Sequence, residues 1–342
     1  MAEYGGLDVS MKETALALVD EQGRTVKEGK VPTWPEDIDR FVRRWAPDIR
    51  RLGLESGSLS SWLCEELQAR GLPAICIDAR HAKAALSMQI NKNDRNDARG
   101  LAQIMRTGWY REVHIKSKGH RWLASLLASR GLLVATRRNL ENQVRGLLKM
   151  AGIRLGRVGS GRFRAVVEAA VENHVALAAV LRPLLQVRAE LVKQLAGIER
   201  VVRKAAWQDE TVRLLMTAPG VGAIVAMTYK VVIDDPGRFP RSRQVGVYIG
   251  LTPRLVESGE TSYTGRISKR GDKGLRACLY EAAHVVLTRG KDCPLKRWTQ
   301  RLAKKVGDKK AKVALARKLA VILHRMWLDG TPFQEGKEAA MA

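Results

Sequence analysis

Cysteine is scarce: the chain has four in 342 residues, Cys64, Cys76, Cys278 and Cys293. They lie far apart, with no CxxC pair and no companion histidine spacing, which excludes a zinc site of the usual pattern and a disulfide framework. A reduced compartment, the cytoplasm, is the expected location. Long apolar runs are also missing. No uninterrupted stretch reaches the roughly 18 residues that a membrane span requires, so no membrane partner is expected. The opening Met-Ala-Glu-Tyr-Gly-Gly lacks the basic-then-apolar order of a secretory leader, and Asp8 interrupts it at once. The apolar fraction of 45% is that of a folded chain rather than a disordered one.

The scarcest feature is acidic charge outside the first hundred residues. Residues 1–100 hold 15 Lys+Arg against 16 Asp+Glu, so the net charge of +25 resides entirely in the remainder. Such a one-sided excess opposes compaction unless a polyanion neutralises it. A solubilising surface would mix both signs. A membrane anchor would gather the cations on one amphipathic helix, whereas here they spread over several. Nucleic acid is the partner this asymmetry points to.

Hydrophobic patterning divides the chain into three. Residues 1–108 read as an α/β domain with strands over Tyr4–Val9, Thr14–Val19, Arg24–Val31, Ile49–Leu54 and Ala74–Ile77. Helices are expected over Pro35–Trp45, Leu59–Ala69 and on through about Met105, giving a mixed sheet with helices on its faces. Residues 117–207 read as a helical, coiled-coil arm. Leu126, Leu133, Leu140 and Leu147 recur every seven residues, as do Leu177, Leu184, Leu191 and Ile198, with Leu181, Leu195 and Val202 at the partner offset. A hairpin within one chain and a coiled coil between chains both fit, and Pro183 is expected to start or kink the second helix. Residues 210–335 read as a mostly helical domain with two glycine-rich loops, ahead of a frayed tail over Gly336–Ala342.

Four acidic residues stand out. Asp8 lies on the first strand, Glu55 ends the fourth, and Asp94 and Asp97 share one face at the start of a helix. Carboxylates converging from strand ends and a helix face would repel one another, and a hard divalent cation such as Mg²⁺ resolves that. Taken singly, each has a plain structural alternative: a strand-edge polar group for Asp8, a helix cap for Glu55, and first-turn acids neutralised by Arg95 and Arg99 for Asp94 and Asp97.

The stretch Gly250–Arg276 reads as a loop, in which Arg266, Lys269, Arg270, Lys273 and Arg276 favour phosphate. On spacing alone Ser258, Ser262 and Ser268 are equivalent turn or cap residues. His284, within Ala-Ala-His-Val-Val, reads as a core histidine, and no Ser-His-Asp arrangement is apparent. In Ala218-Pro-Gly-Val-Gly222, Gly220 and Gly222 precede an apolar helix. A helix-hairpin-helix phosphate contact and a plain helix-initiating turn both suit that placement.

These motifs fall in a familiar order. Gly6-Leu-Asp-Val-Ser10, Glu55-Ser-Gly57, Lys92-Asn-Asp-Arg-Asn-Asp-Ala98, Pro219-Gly-Val-Gly222, Gly250-Leu-Thr-Pro253, Glu257-Ser-Gly259 and Ser268-Lys-Arg-Gly271 run through nearly the whole chain. The series resembles the insertion-sequence one-ten family of DEDD transposases, which includes the Piv-type DNA invertases. The resemblance implies an RNase H-like, RuvC-like first domain with Asp8, Glu55, Asp94 and Asp97 as its Mg²⁺ tetrad. It also implies Ser258 as a nucleophile that forms a transient phosphoserine link. Implied partners are donor and target double-stranded DNA, further copies of the chain as a homodimer or homotetramer, and a structured bridge RNA as guide. Two rival readings remain: a RuvC-like nuclease or junction resolvase with water as nucleophile, and a non-catalytic nucleic-acid-binding protein.

Overall fold

The computed structural model describes residues 2–87 and 93–336. Lys92 and the tail from residue 337 therefore lie outside the described residues. Contacts divide the chain into two compact units, Met1–Lys116 and Ser117–Ala342.

The first unit contains β1 (Glu3–Val9), β2 (Glu13–Val19), β3 (Thr25–Pro32), α1 (Pro35–Trp45), β4 (Ile49–Glu55), α2 (Ser60–Ala69), β5 (Ala74–Ile77), α3 (Ala79–Leu86) and α4 (Asp94–Thr107). The sheet order is β3-β2-β1-β4-β5. The β1–β2 and β2–β3 pairs are antiparallel, while β4 lies parallel to β1 and β5 parallel to β4. Asp20 closes the β2–β3 turn by accepting the backbone N–H groups of Gln22 and Arg24, and Gly23 supplies the left-handed φ of 81°. Helix α1 begins with Pro35, carries Glu36 and Asp37 in its first turn and Arg43 and Arg44 in its last, and buries Ile38 and Val42. With Leu63 and Leu67 of α2, those residues cover one sheet face through Leu7, Leu16, Leu52 and Leu54.

Helix α4 covers the opposite face, where Ala98 and Ala102 pack on Ala15 and Ala17. Only small residues allow this approach. A β-carbon at Gly6 would stand 2.2 Å from the Ala98 carbonyl oxygen and 2.4 Å from the Ala102 nitrogen. Gly6→Ala is therefore expected to destabilise the first unit by about 3 kcal/mol or more, because backbone rather than a flexible side chain must move. Urea unfolding monitored by circular dichroism measures this. A loss below about 1 kcal/mol would show that α4 has room to shift.

The second unit opens with α5 (Lys118–Met150), α6 (Phe163–Ala170) and α7 (Val175–Gln208). Helices α5 and α7 pack on one another within the chain, and Phe163 and Val167 of α6 join Val144, Leu148, Leu181 and Leu185 at the closed end. Of the two heptad series, Leu181, Leu195 and Val202 are buried, whereas Leu177, Leu184, Leu191 and Ile198 are half-buried. The slot between Leu181 and Leu195 is filled by Arg188. It is 4% exposed, donates to Glu141 at 2.8 Å and to the Ser160 carbonyl at 2.7 Å, and so is a satisfied buried charge. Pro183 lies inside α7, not at its start.

There follow α8 (Glu210–Leu215), α9 (Ala223–Ile233), α10 (Arg243–Tyr248), β6 (Pro253–Ser258), β7 (Thr261–Ile267), α11 (Lys273–Thr288), α12 (Pro294–Val306) and α13 (Asp308–Asp329). Val202 and Ala206, near the end of α7, share a core with Tyr229, Leu279 and Leu319. The arm and the last third of the chain fall within one compact unit by their contacts. No helix among the described residues is long and apolar enough to cross a membrane.

The satisfied core histidine of this unit is His324, fully buried; His284 is only half-buried. Because a carbonyl can only accept, Nε2 of His324 donates to the Pro236 oxygen at 2.9 Å and Nδ1 accepts from the Ser242 hydroxyl at 2.9 Å. Burial holds its pKa below the usual 6.5. The unfolded chain therefore takes up this proton first, and stability is lost as pH falls from about 6.5 toward the folded-state value. His324→Phe should cost about 2 kcal/mol at pH 7.5, by orphaning two polar groups, and should flatten that part of the acid-side decline. Thermal melts from pH 7.5 to 5 test this; an unchanged slope in the variant would remove His324 from the account.

Candidate active site

Register places the first two carboxylates together. Leu7 of β1 pairs with Leu54 of the parallel β4, so Asp8 and Glu55 are the next residues on adjoining strands, about 5 Å apart in the sheet. Leu7 and Leu54 face the α1–α2 layer. By alternation Asp8 and Glu55 face the other side, the one covered by α4. Ser60 secures the turn after Glu55: its hydroxyl donates to the Glu55 carbonyl at 2.5 Å and accepts the Gly57 N–H at 2.7 Å.

Helix α4 brings Asp94 and Asp97 to the same face. Its start is capped by Asn93, whose side chain accepts the Asn96 N–H at 2.8 Å. Asp97 directly precedes Ala98, which sits over Gly6, two residues before Asp8. Asp94 is placed farther out. Its carboxylate accepts from Lys30 Nζ at 2.6 Å, and Lys30 pairs with Ala15, which pairs with Asp8. Asp94 is thus anchored two strands across the sheet from Asp8. Among the described residues no three His, Cys, Asp or Glu side chains form a group able to hold a metal ion.

Lys30 is the functional-site residue that sequence reasoning missed. Its ammonium pKa is raised first by the hydrogen bond it donates to Asp94 and then by charge attraction to Asp94, with Glu13 and Asp8 adding to it. Asp94 is correspondingly lowered by the Lys30 hydrogen bond. Asp94 chiefly, with Glu13 and Asp8, thus favours the charged form of Lys30. Arg95 and Arg99 do not neutralise Asp94 and Asp97. Both pair with Glu28 on β3, Arg99 at 2.7 Å. Burial works to raise the Glu28 pKa, but hydrogen bonds from Arg99 and Arg95 hold it low.

In the second unit, the stretch read as a loop is a β-hairpin. Strands β6 and β7 pair antiparallel with Ser258 opposite Thr261, leaving Gly259 and Glu260 as the turn. Gly259 has φ 55°, the left-handed value that two-residue hairpin turns use. Every residue of β6 is exposed. Exposure on both faces removes the alternation that marks a strand. The three serines now differ. Ser262 donates weakly to Glu257 at 3.4 Å, Ser268 accepts the Arg270 N–H at 3.4 Å, and Ser258 Oγ has no hydrogen-bond partner among the described residues.

The hairpin base is closely packed. Gly250 (φ 74°) and Gly271 (φ 85°) lie against the backbone of Arg270 and Tyr248, so close that a β-carbon would stand 2.0 Å and 2.1 Å from the respective carbonyl oxygens. Arg276 Nη1 donates to the carbonyls of Ile249, Arg270 and Gly271 at 3.0–3.1 Å. Arg276 therefore ties the backbone at the hairpin base together. Arg266, Lys269, Arg270 and Lys273 are left around it, with Lys269 itself at a left-handed φ of 55°. Gly220 likewise has a packing role: its φ is 75°, and a β-carbon would meet the Ala282 carbonyl of α11 at 2.5 Å. Gly222 caps α9 and faces open space.

Residues 5–152 match the model of a DEDD transposase family, and residues 212–299 match that of the IS116/IS110/IS902 transposase family. The chain is 31% identical over 327 residues to the transposase for insertion sequence element IS1111A of Coxiella burnetii, covering 93% of this chain and 87% of that one. It is 30% identical over 303 residues to a probable family 20 transposase of Pseudomonas aeruginosa, covering 86% and 88%. A pilin gene-inverting protein of Moraxella lacunata matches at 31% over 124 residues, 36% of this chain and 38% of that one. By the extent of these matches, the chain belongs to the IS116/IS110/IS902 family of transposases and is an enzyme of that family.

Proposed function

We propose that this transposase cleaves and rejoins DNA strands through a covalent Ser258–DNA intermediate, with Mg²⁺ held by Asp8, Glu55, Asp94 and Asp97 on an RNase H-like sheet. The observation that carries the reading is the register pairing that sets Asp8 beside Glu55 at the ends of adjoining parallel strands, beneath the helix bearing Asp94 and Asp97. The sheet order β3-β2-β1-β4-β5 supports the RNase H-like assignment. All four side chains offer hard oxygen donors, so the donor chemistry fits Mg²⁺. To hold the ion, Asp94 would release Lys30.

When bound, Mg²⁺ would polarise the scissile phosphate and offset developing charge. The chain's own residues do the rest. Ser258 Oγ loses its proton and forms a bond to phosphorus as the bond from phosphorus to the leaving deoxyribose oxygen breaks, and that oxygen takes up a proton. One phosphoester replaces another, so attack by a new deoxyribose hydroxyl restores the strand without external energy. Arg266, Lys269 and Arg270 beside the hairpin neutralise the phosphate in the transition state. The carboxylates belong to the first unit and Ser258 to the second, of the same or another copy in a homodimer or homotetramer. The net charge of +25 supports binding of both donor and target DNA and of a structured bridge RNA.

The test is a labelled duplex spanning the ends of the element that carries the gene, incubated with the protein and its copurifying RNA. Mg²⁺ should yield a labelled species of protein size on a denaturing gel, and EDTA should remove it while leaving binding intact. Nicked DNA with no protein attached would favour the resolvase reading, with water as nucleophile.

A further inference from the structure

The α12–α13 elbow carries charge that the catalytic hairpin does not use. From Pro294 to Leu328 there are eleven Lys or Arg residues and one acid, Asp308. Buried Leu295 and Thr299 hold α12 against α13. Arg301, Lys304, Lys305, Lys309 and Lys310 are all exposed. At the two ends of this stretch cations are paired, Arg297 with Asp292 and Arg325 with Asp329. Among the described residues the five at the elbow have no ion pair. Helix stability accounts for only part of them: Lys304 and Lys305 lie in the last turn of α12, where a cation suits the helix dipole. Lys309 and Lys310 fall in the first turn of α13, the end where a cation opposes the helix dipole. Arg301 and Lys305 stand one turn apart on α12, a spacing of about 6 Å.

We propose that this elbow is a second nucleic-acid surface, which grips the phosphate backbone of duplex DNA outside the catalytic hairpin. Charge complementarity selects a polyanion, and the surface lacks what a single strand needs. The aromatic residue of α12, Trp298, is half-buried with Lys318 Nζ 4.8 Å over its ring, so it offers no free face for base stacking. Five exposed cations with a single exposed amide on α12, Gln300, read phosphates rather than bases. The choice of DNA over RNA rests on the transposase reading. The surface would hold flanking duplex in register while the hairpin acts.

The experiment measures binding of the full-length chain to a fluorescein-labelled 30-base-pair duplex of arbitrary sequence, by anisotropy, in EDTA and at several salt concentrations. Relative to wild type, the quadruple variant Lys304→Gln/Lys305→Gln/Lys309→Gln/Lys310→Gln should show a log–log salt slope shallower by about 3.6, at about 0.9 per lost phosphate contact. Its Kd at 0.1 M salt should rise by at least about 30-fold. The pair Lys304→Gln/Lys305→Gln alone should give about half the slope change, which keeps the test valid if the quadruple variant folds poorly. A slope change below about one unit in both variants would overturn the proposal. So would a loss on a 30-base-pair RNA duplex equal to or larger than the loss on DNA. Binding in EDTA involves no strand chemistry, so this outcome is independent of whether Ser258 forms an adduct.

Discussion

Ser258→Ala is expected to eliminate the covalent protein–DNA adduct and to lower strand cleavage by about 10³-fold or more. The size follows from the role: without the hydroxyl there is no bond to phosphorus to form, and residual activity would require water in its place. Position supports the choice among the three serines. Ser262 and Ser268 are engaged with Glu257 and the Arg270 N–H, whereas Ser258 stands at an exposed turn and its hydroxyl has no hydrogen-bond partner among the described residues. Anisotropy should show nucleic-acid affinity within about threefold of wild type, since the alanine removes no charge. An adduct that persists in Ser258→Ala would transfer the role to another side chain. Loss of binding together with the adduct would mean that the hairpin had collapsed.

Asp8→Asn is expected to reduce Mg²⁺-dependent cleavage by about 10³-fold, each factor of ten corresponding to about 1.4 kcal/mol of barrier. Amide for carboxylate keeps the shape of a residue paired with Ala15 and removes one of the charges that draw a cation to this face. The effect should be partly recovered at high Mg²⁺ if the loss is one of affinity. Glu55→Gln, one strand over, should behave alike, and the double variant should cost less than the sum because both act through one ion. Cleavage rates against Mg²⁺ concentration decide this. Wild-type rates in Asp8→Asn would dissociate the strand-end acids from the chemistry.

Much of the first unit could be read from the residues because its strands alternate and its turns carry Gly and Asp. Expected strands such as Ile49–Leu54 and Ala74–Ile77 lie within a residue of β4 and β5, and α1 spans Pro35–Trp45 as expected. Two acids of the candidate site, Asp8 and Glu55, were legible as strand-borne carboxylates with apolar neighbours. Their adjacency was not, since it depends on a parallel register between residues far apart in sequence. Lys30 was missed for the same reason: it meets Asp94 across 64 residues. The β6–β7 hairpin escaped a periodicity search because both faces are exposed. Arg276 looked like its neighbours by charge, and only the positions of three carbonyls distinguish it. Pro183 inside α7 shows tertiary packing overriding a local helix-breaking signal.

In the proposed reaction Ser258 Oγ becomes covalently joined to DNA. Digesting the trapped adduct with nuclease and trypsin and sequencing the peptides by mass spectrometry tests it most directly. A nucleotide remnant on Ser258 within Leu255–Arg266 is the predicted result; a remnant on any other residue, or an unmodified peptide alongside nicked DNA, would contradict it.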